Sequence, residues 1–147
     1  MGTRAAFGRW LFVALAVSLL AGCAREAPEA ALRGRAASLV EAIEQRQPAA
    51  LQQHLAADFI GNGGLDREGA RRLAAGLALR HRDAGIVLGP LQVEMAQEHA
   101  TVRTTALLRG GSGGILPDSA QAYEVTSGWR LEDGEWMLAS LQWEPML

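Results

Sequence analysis

Side chains able to carry out acid–base or metal chemistry are few in this chain and lie far apart. The histidines, His54, His81 and His99, stand singly, without the i,i+4 spacing or the cysteine partners typical of a zinc site. We therefore expect no metal ion and no other cofactor. A Ser-His-Asp arrangement stays open, because such a triad is assembled in space rather than along the sequence.

Two aspartates and one tyrosine are candidates for proton transfer, which requires a carboxylate base and groups that stabilise a developing oxyanion. Asp66 stands where an N-cap would begin the third predicted helix, which is a structural role. Asp58 directly precedes the aromatic Phe59. Tyr123 is the only tyrosine, and no acid lies on its face of the predicted C-terminal hairpin. These residues alone do not indicate an active site.

The glycine-rich run at residues 110–114 is a second motif that needs an interpretation. No Gly-Lys-Ser or Gly-Lys-Thr follows it, so it is not a Walker A loop. We interpret it as a flexible hairpin connection that reaches to about residue 120.

The C-terminal residues 123–143 contain two alternating runs that meet at Asp133-Gly134. This dipeptide favours a two-residue hairpin turn of type I′. The expected facing pairs are Glu132–Glu135, Leu131–Trp136, Arg130–Met137, Trp129–Leu138, Ser127–Ser140 and Val125–Gln142. Side chains alternate across a strand, so one face would carry Val125, Ser127, Trp129, Leu131, Trp136, Leu138, Ser140 and Gln142. The opposite face would carry Met137, Leu141 and Trp143.

The N-terminal residues 1–22 read as a signal peptide. Arg4 and Arg9 form a basic region ahead of an apolar run, residues 10–20. This run is too short for an ordinary membrane span. The run ends in Leu20-Ala21-Gly22-Cys23, which resembles the lipobox of bacterial lipoproteins. By that resemblance cleavage falls before Cys23, and several acyl chains on this residue, palmitate among them, anchor the chain to a membrane. The alternative is an ordinary signal peptide with a chance cysteine.

The residue after the lipobox indicates in which membrane the protein would be located. Ala24 occupies the position at which Asp favours inner-membrane retention in many Gram-negative bacteria. The resemblance therefore implies a lipid anchor in the cell envelope, in the outer membrane and facing the periplasm.

Composition excludes several classes of partner and site. Cys23 is the only cysteine, so one chain can form neither a disulfide nor a cysteine metal site. Basic residues number 14 against 16 acids, for a net charge of −2, and removal of residues 1–22 makes the chain more acidic still. We expect no nucleic-acid binding, because there is no basic excess to neutralise phosphates.

We expect a short tether at residues 23–29, followed by a single domain at residues 30–147. Within this domain, hydrophobic periodicity predicts helices in the first part and strands in the second. Residues 30–47 have helical spacing, and a second short helix carries Leu51 and Leu55. A third helix follows Asp66, with a buried stripe of Ala70, Leu73, Ala74 and Leu77. Strands begin at Ile86 and include residues 101–109. One face of that strand would carry Val102, Thr104, Ala106 and Leu108, and the other would carry Arg103 and Arg109.

This order of elements, with the ending Trp129, Asp133-Gly134, Trp136, Leu138 and Trp143, resembles the nuclear transport factor 2-like superfamily, which includes ketosteroid isomerase and the polyketide cyclases. The residues Leu55 to Phe59 add to the likeness. The resemblance covers roughly residues 30–143. It implies an α+β fold in which N-terminal helices pack on a strongly curved antiparallel sheet that encloses a cone-shaped pocket.

By the same resemblance, one hairpin face would line that pocket. The expected ligand-binding residues are Phe59, Thr104, Ser127, Trp129, Ser140 and Gln142. Isolated polar groups in an apolar pocket orient a ligand. The alternative is that Ser127, Ser140 and Gln142 lie near strand ends and contact water or backbone.

The family's isomerase pattern is broken in this chain. The catalytic base should follow the second helix, where this chain reads Gly61-Asn62-Gly63-Gly64-Leu65 without a carboxylate. We therefore favour a lipid-anchored, non-catalytic envelope domain that binds a small apolar ligand or a protein partner. A cone-fold isomerase or cyclase with an unplaced acid–base pair is one alternative. The other is a homodimeric interaction module that associates through Met137, Leu141 and Trp143 on the outer sheet face.

Overall fold

The computed structural model describes residues 27–80, 85–110 and 119–147. The predicted signal peptide, Cys23, His81 and all of the glycine-rich run after Gly110 lie outside the described residues. The elements, in chain order, are α1 Pro28–Glu44, α2 Pro48–Gln53, β1 Leu55–Gly61, a 3₁₀ turn Asn62–Gly64, β2 Leu65–Asp66, α3 Arg67–Arg80, β3 Gly85–Leu88, β4 Gln92–Ala96, β5 His99–Gly110, β6 Ser119–Glu132 and β7 Glu135–Pro145.

One seven-stranded sheet organises the fold. Its strand order is β2-β1-β7-β6-β5-β3, and β4 also pairs with β5. The α+β prediction is confirmed, with the helices packed against a curled sheet. One pairing differs from the expected antiparallel pattern, because β1 runs parallel to β7.

The predicted second helix is too long. It ends at Gln53, and residues from Leu55 to Phe59 belong to β1 instead. The peptide N–H of Leu138 donates to the carbonyl of His54 at 2.9 Å, which brings the chain onto the edge of β7 as soon as the helix ends. Edge pairing satisfies the backbone there, so strand formation overrides the helical spacing of Leu51 and Leu55.

The third helix begins as predicted but packs differently. The peptide N–H of Gly69 donates to Asp66 Oδ1 at 2.7 Å, which confirms the N-cap. The expected buried stripe is wrong, because Leu73 and Leu77 are 45% and 48% exposed. These leucines border an open cavity rather than a filled core.

The C-terminal hairpin has the predicted turn. Asp133 and Gly134 both have positive φ, at 49° and 83°, as a type I′ turn requires. The four pairs nearest the turn, from Glu132–Glu135 to Trp129–Leu138, have the predicted register.

A β-bulge changes the register farther from the turn. Between Gly128 and Trp129 the pairing shifts by one residue, so Gly128 faces Ser140 and Ser127 faces Leu141. The expected pairs Ser127–Ser140 and Val125–Gln142 are therefore wrong. The extra residue is Ala139 of β7, so the side chains of β7 beyond it change face while those of β6 keep theirs.

The core lies where α1, α2 and β1 cover the middle of β5, β6 and β7. Its most buried members are Leu32, Leu55, Ala56 and Leu138, at 0 to 2% exposure. Arg35 joins α1 to the hairpin, because its guanidinium donates to the carbonyls of Trp136 and Gln53 at 3.1 and 3.0 Å. No helix among the described residues is long and apolar enough to cross a membrane.

Candidate functional site

A cavity of about 610 Å³ lies between the helices and the concave face of the sheet. Most of the side chains around it are apolar. Helices α1 and α3 contribute alanine and leucine side chains, while β5, β6 and β7 contribute the wall opposite. A volume of this size falls in the range of small-molecule sites, about 300–1,000 Å³.

The floor of the cavity is buried and almost wholly apolar. Phe59, Val102, Trp129 and Leu138 are each 1 to 4% exposed. The buried hydroxyl of Ser127 is used within the protein: Trp129 Nε1 donates to Ser127 Oγ at 3.0 Å, and Ser127 Oγ donates to the carbonyl of Val102 at 3.2 Å. Ser127 thus keeps one acceptor lone pair for a ligand, but no proton.

Thr104 is similarly engaged. Its Oγ1 donates to the carbonyl of Gly89 at 3.1 Å, which ties the break between β3 and β4 to the middle of β5. The hydroxyls predicted to orient a ligand therefore also stabilise the wall of the cavity.

Two wall residues come from beyond the β-bulge. Leu141 and Trp143 line the cavity because the register shift turns them inward. The side-chain amide of Asn62 holds this part of β7: Asn62 Nδ2 donates to the carbonyl of Trp143 at 2.7 Å, and the Trp143 N–H donates to Asn62 Oδ1 at 3.2 Å. The positive φ of Gly63 and Gly64 makes the adjoining tight turn.

The lining residues that are exposed to solvent define the mouth of the cavity. They are Glu44, Arg46, Gln47, Leu73, Leu77, Leu108, Arg109 and Gln121. Tyr123, two residues farther along β6 than Gln121, is half-buried and also lines the cavity. Polarity therefore rises from the floor to the mouth.

The predicted pocket residues separate into two groups. Phe59, Thr104, Ser127 and Trp129 line the cavity, whereas Ser140 and Gln142 do not. The shifted register is the reason, since it pairs Ser140 with Gly128 and Gln142 with Thr126. Ligand binding by the four lining residues stays a prediction.

The same shift removes the apolar patch expected on the outer sheet face. Leu141 and Trp143 line the cavity, which leaves Met137 without them. A homodimer stays a prediction, but the surface proposed for it is incorrect. Arg109, expected on the outer face, also lines the cavity, whereas Arg103 is on the outer face and pairs with Glu94 at 2.6 Å.

The carboxylates near the expected base position have structural roles. Asp58 pairs with Arg130 at 2.7 Å, and this hydrogen-bonded guanidinium lowers the pKa of Asp58. Asp66 caps α3. Neither lines the cavity, and Glu44 at the mouth is the only acidic residue among the described lining residues.

His54 is buried outside the cavity lining. It is 7% exposed, and its Nδ1 has no hydrogen-bonding partner in the described residues. Burial lowers its pKa, and Arg35 lowers it further, while Glu135 acts in the opposite direction. In the described part of the chain, no three His, Cys, Asp or Glu side chains are grouped so that they could hold a metal ion.

Comparison with known proteins identifies the fold. No protein-family model and no curated protein matches the sequence. A nuclear transport factor 2-like protein with a cystatin-like fold from Novosphingobium aromaticivorans has a similar structure, with a TM-score of 0.70, 17% identity, and coverage of 91% of this chain and 88% of its own. A proposed scytalone dehydratase from Novosphingobium aromaticivorans DSM 12444 is also similar, with a TM-score of 0.71 and 15% identity. The match covers 80% of this chain and 83% of that protein.

A hexachlorocyclohexane dehydrochlorinase from Novosphingobium barchaimii LL02 is similar too, with a TM-score of 0.67, 19% identity, and coverage of 81% of this chain and 86% of its own. Identities this low show a shared fold and carry no activity with them. The described part of the chain has the nuclear transport factor 2-like cone fold.

Proposed function

We propose that this protein is a lipid-anchored envelope domain that binds a small apolar molecule in its cone cavity without chemically transforming it. The observation that carries the proposal is the cavity itself. It is large, its floor is apolar, and its buried hydroxyl is already hydrogen-bonded within the protein. Apolar surface in such a cavity favours an apolar occupant over water.

The distribution of acids and bases supports binding rather than catalysis. Proton transfer needs a group within hydrogen-bonding reach of the substrate, with a pKa near the working pH. Asp58 lies outside the cavity, and its pKa is lowered, which is the wrong direction for a general base. No histidine stands among the described lining residues.

The anchor proposed at Cys23 fits this use of the cavity. Helix α1 starts at Pro28, within the predicted tether at residues 23–29, and ends at Glu44, on the mouth. Its 17 residues span about 25 Å at 1.5 Å per residue. An anchor that precedes Pro28 in the sequence joins α1 at the end away from the mouth, so anchoring would leave the entrance free.

A titration with the neutral fluorescent probe N-phenyl-1-naphthylamine tests the proposal. Ala106 is 7% exposed and lines the cavity, so Ala106→Phe fills space that a ligand would take. Exposed Ala96 on β4 is the matched control. We expect saturable binding to the wild type and to Ala96→Phe, and at least tenfold weaker binding to Ala106→Phe.

Equal binding by all three proteins would place the probe elsewhere and reject the cavity as the site. To exclude misfolding, the far-ultraviolet circular dichroism of Ala106→Phe should match that of the wild type.

A further inference from the structure

The mouth of the cavity carries charged side chains, whereas the floor is apolar. On its helix side, Glu44 and Arg46 place one acid and one base close together in sequence. Helix α1 also ends there, at Glu44, and the partial negative charge at the C-terminus of a helix repels anions. This side offers no net attraction for an anionic group.

The strand side of the mouth differs, because among the described lining residues Arg109 is the only charged one there. Arg109 is exposed and has neither a hydrogen bond nor an ion pair among the described residues. By contrast, Arg103, on the same strand, is paired with Glu94. Within the part of the chain that the structure describes, no acidic group therefore compensates the positive charge of Arg109 at the edge of the cavity.

Neutral polar side chains lie on β6, the strand that pairs with the end of β5 carrying Arg109. In the pairing of β5 with β6, Arg109 is opposite Ala120, Leu108 is opposite Gln121, and Ala106 is opposite Tyr123. Gln121 and Tyr123 both line the cavity. An amide, a phenol and a guanidinium together supply several hydrogen-bond donors, the group that a carboxylate or phosphate requires.

Polarity falls in order along the cavity side of β6. Gln121 and Tyr123 lie near the mouth, Val125 follows, and Trp129 is buried at the floor. The intervening Ser127 is hydrogen-bonded to Trp129 and Val102. A ligand that matches this gradient has one charged end and one apolar end.

We propose that the cavity binds an anionic amphiphile, with its apolar chain between Trp129 and Leu141 and its carboxylate or phosphate head against Arg109, Gln121 and Tyr123. The inference rests on the proposed function and adds the chemical class of the ligand. A volume of about 610 Å³ lies in the middle of the range of about 300–1,000 Å³ found for sites that take one small molecule. It therefore suits a single-chain amphiphile better than a lipid with two long chains.

The test compares ligands that share a tail and differ in their heads. Dodecanoate, dodecyl phosphate and dodecanol are titrated by displacement of N-phenyl-1-naphthylamine from the wild type, Arg109→Gln and Arg103→Gln. We expect Arg109→Gln to weaken binding of the two anions about fivefold, as for an exposed ion pair, and to leave dodecanol unchanged. Arg103→Gln should leave all three affinities unchanged.

Salt supplies a second readout, because screening weakens an exposed charge–charge contact. The affinity of the anions for the wild type should fall with added salt, and Arg109→Gln should remove most of that dependence. Preference for dodecanoate would indicate a free fatty acid, and preference for dodecyl phosphate a lipid phosphate.

Two outcomes would separate the inference from the function on which it rests. If all three ligands bind and Arg109→Gln affects them equally or not at all, the anionic class is wrong while the apolar site stands. If neither the neutral probe nor dodecanol binds, the proposed function fails, and the inference fails with it.

Discussion

Ser127 lies opposite Leu141 in the pairing of β6 with β7, one residue out of the register that the turn sets at the other end of the hairpin. The bulge between Gly128 and Trp129 causes this offset. Without it, Leu141 and Trp143 would face away from the cavity and Ser140 would face into it. A single extra residue thus determines whether this wall of the cavity is apolar or polar.

The close approach of Gly128 to Ser140 beside the bulge can be tested by mutation. A Cβ at Gly128 would lie 2.5 Å from Ser140 Oγ but 3.8 Å from its Cβ. We expect Gly128→Ala to lower the free energy of unfolding by about 1 kcal/mol through this clash. In a Ser140→Ala background, Gly128→Ala should lower the free energy of unfolding much less, as measured by urea denaturation. An equal cost in both backgrounds would show that the serine hydroxyl is not what Gly128 accommodates.

Ser127→Ala should destabilise the domain by removing a buried acceptor. Trp129 Nε1 would lose its partner at a site where Trp129 is 3% exposed. An unsatisfied buried donor costs about 1–3 kcal/mol. Ser38→Ala, which removes an exposed hydroxyl on α1, is the control and should change stability by less than about 0.5 kcal/mol. Equal effects of the two substitutions in urea denaturation would contradict the assigned hydrogen bond.

His54 should make stability depend on pH near neutrality. Its pKa in the folded protein lies below the ordinary value of 6.5, chiefly because of burial. The unfolded chain therefore binds the proton more readily, so stability is fully present above pH 6.5 and declines as the pH falls through 6.5 toward the folded pKa.

Urea denaturation between about pH 7.5 and about pH 5.5 measures this effect in the range where histidine titrates. The wild type should lose stability across the range, and His54→Gln should lose less. His99→Gln, which changes an exposed histidine at the start of β5, should keep the wild-type slope. A slope that His54→Gln leaves unchanged would assign the pH dependence to other groups.

The lipid anchor predicted at Cys23 has its own test. Cys23→Ala removes the thiol that is alkylated, so the chain should carry no acyl group and should retain its signal peptide, which raises its mass relative to a cleaved chain. Mass spectrometry of the wild-type N-terminal peptide should show an acylated Cys23. An unmodified N-terminus at another residue would show that the lipobox is a chance match.

The sequence was most informative where local chemistry determines structure. Asp133-Gly134 predicts the turn because few dipeptides take positive φ at both positions. Asp66 predicts a helix start because its carboxylate stands four residues ahead of Ala70, where the apolar pattern begins. The shared face of Val102, Thr104, Ala106 and Leu108 on β5 follows from simple alternation, and in the structure all four line the cavity.

Long-range relationships could not be obtained in this way. The bulge has no distinct signal in alternation, so the inward side of Leu141 and Trp143 was missed, and Ser140 and Gln142 were assigned to the wrong face. The parallel pairing of β1 with β7 depends on contacts more than 75 residues apart, such as Leu55 with Leu138. Asn62 and Arg35 act on backbone groups of β7 that no spacing rule connects with them.

Native mass spectrometry of the mature domain, residues 24–147, purified from a bacterial periplasm tests the central claim most directly. We expect the wild type to retain a noncovalent small apolar or amphiphilic mass that Ala106→Phe lacks and Ala96→Phe keeps. An empty wild-type chain that also fails to take up N-phenyl-1-naphthylamine would contradict ligand binding in the cone.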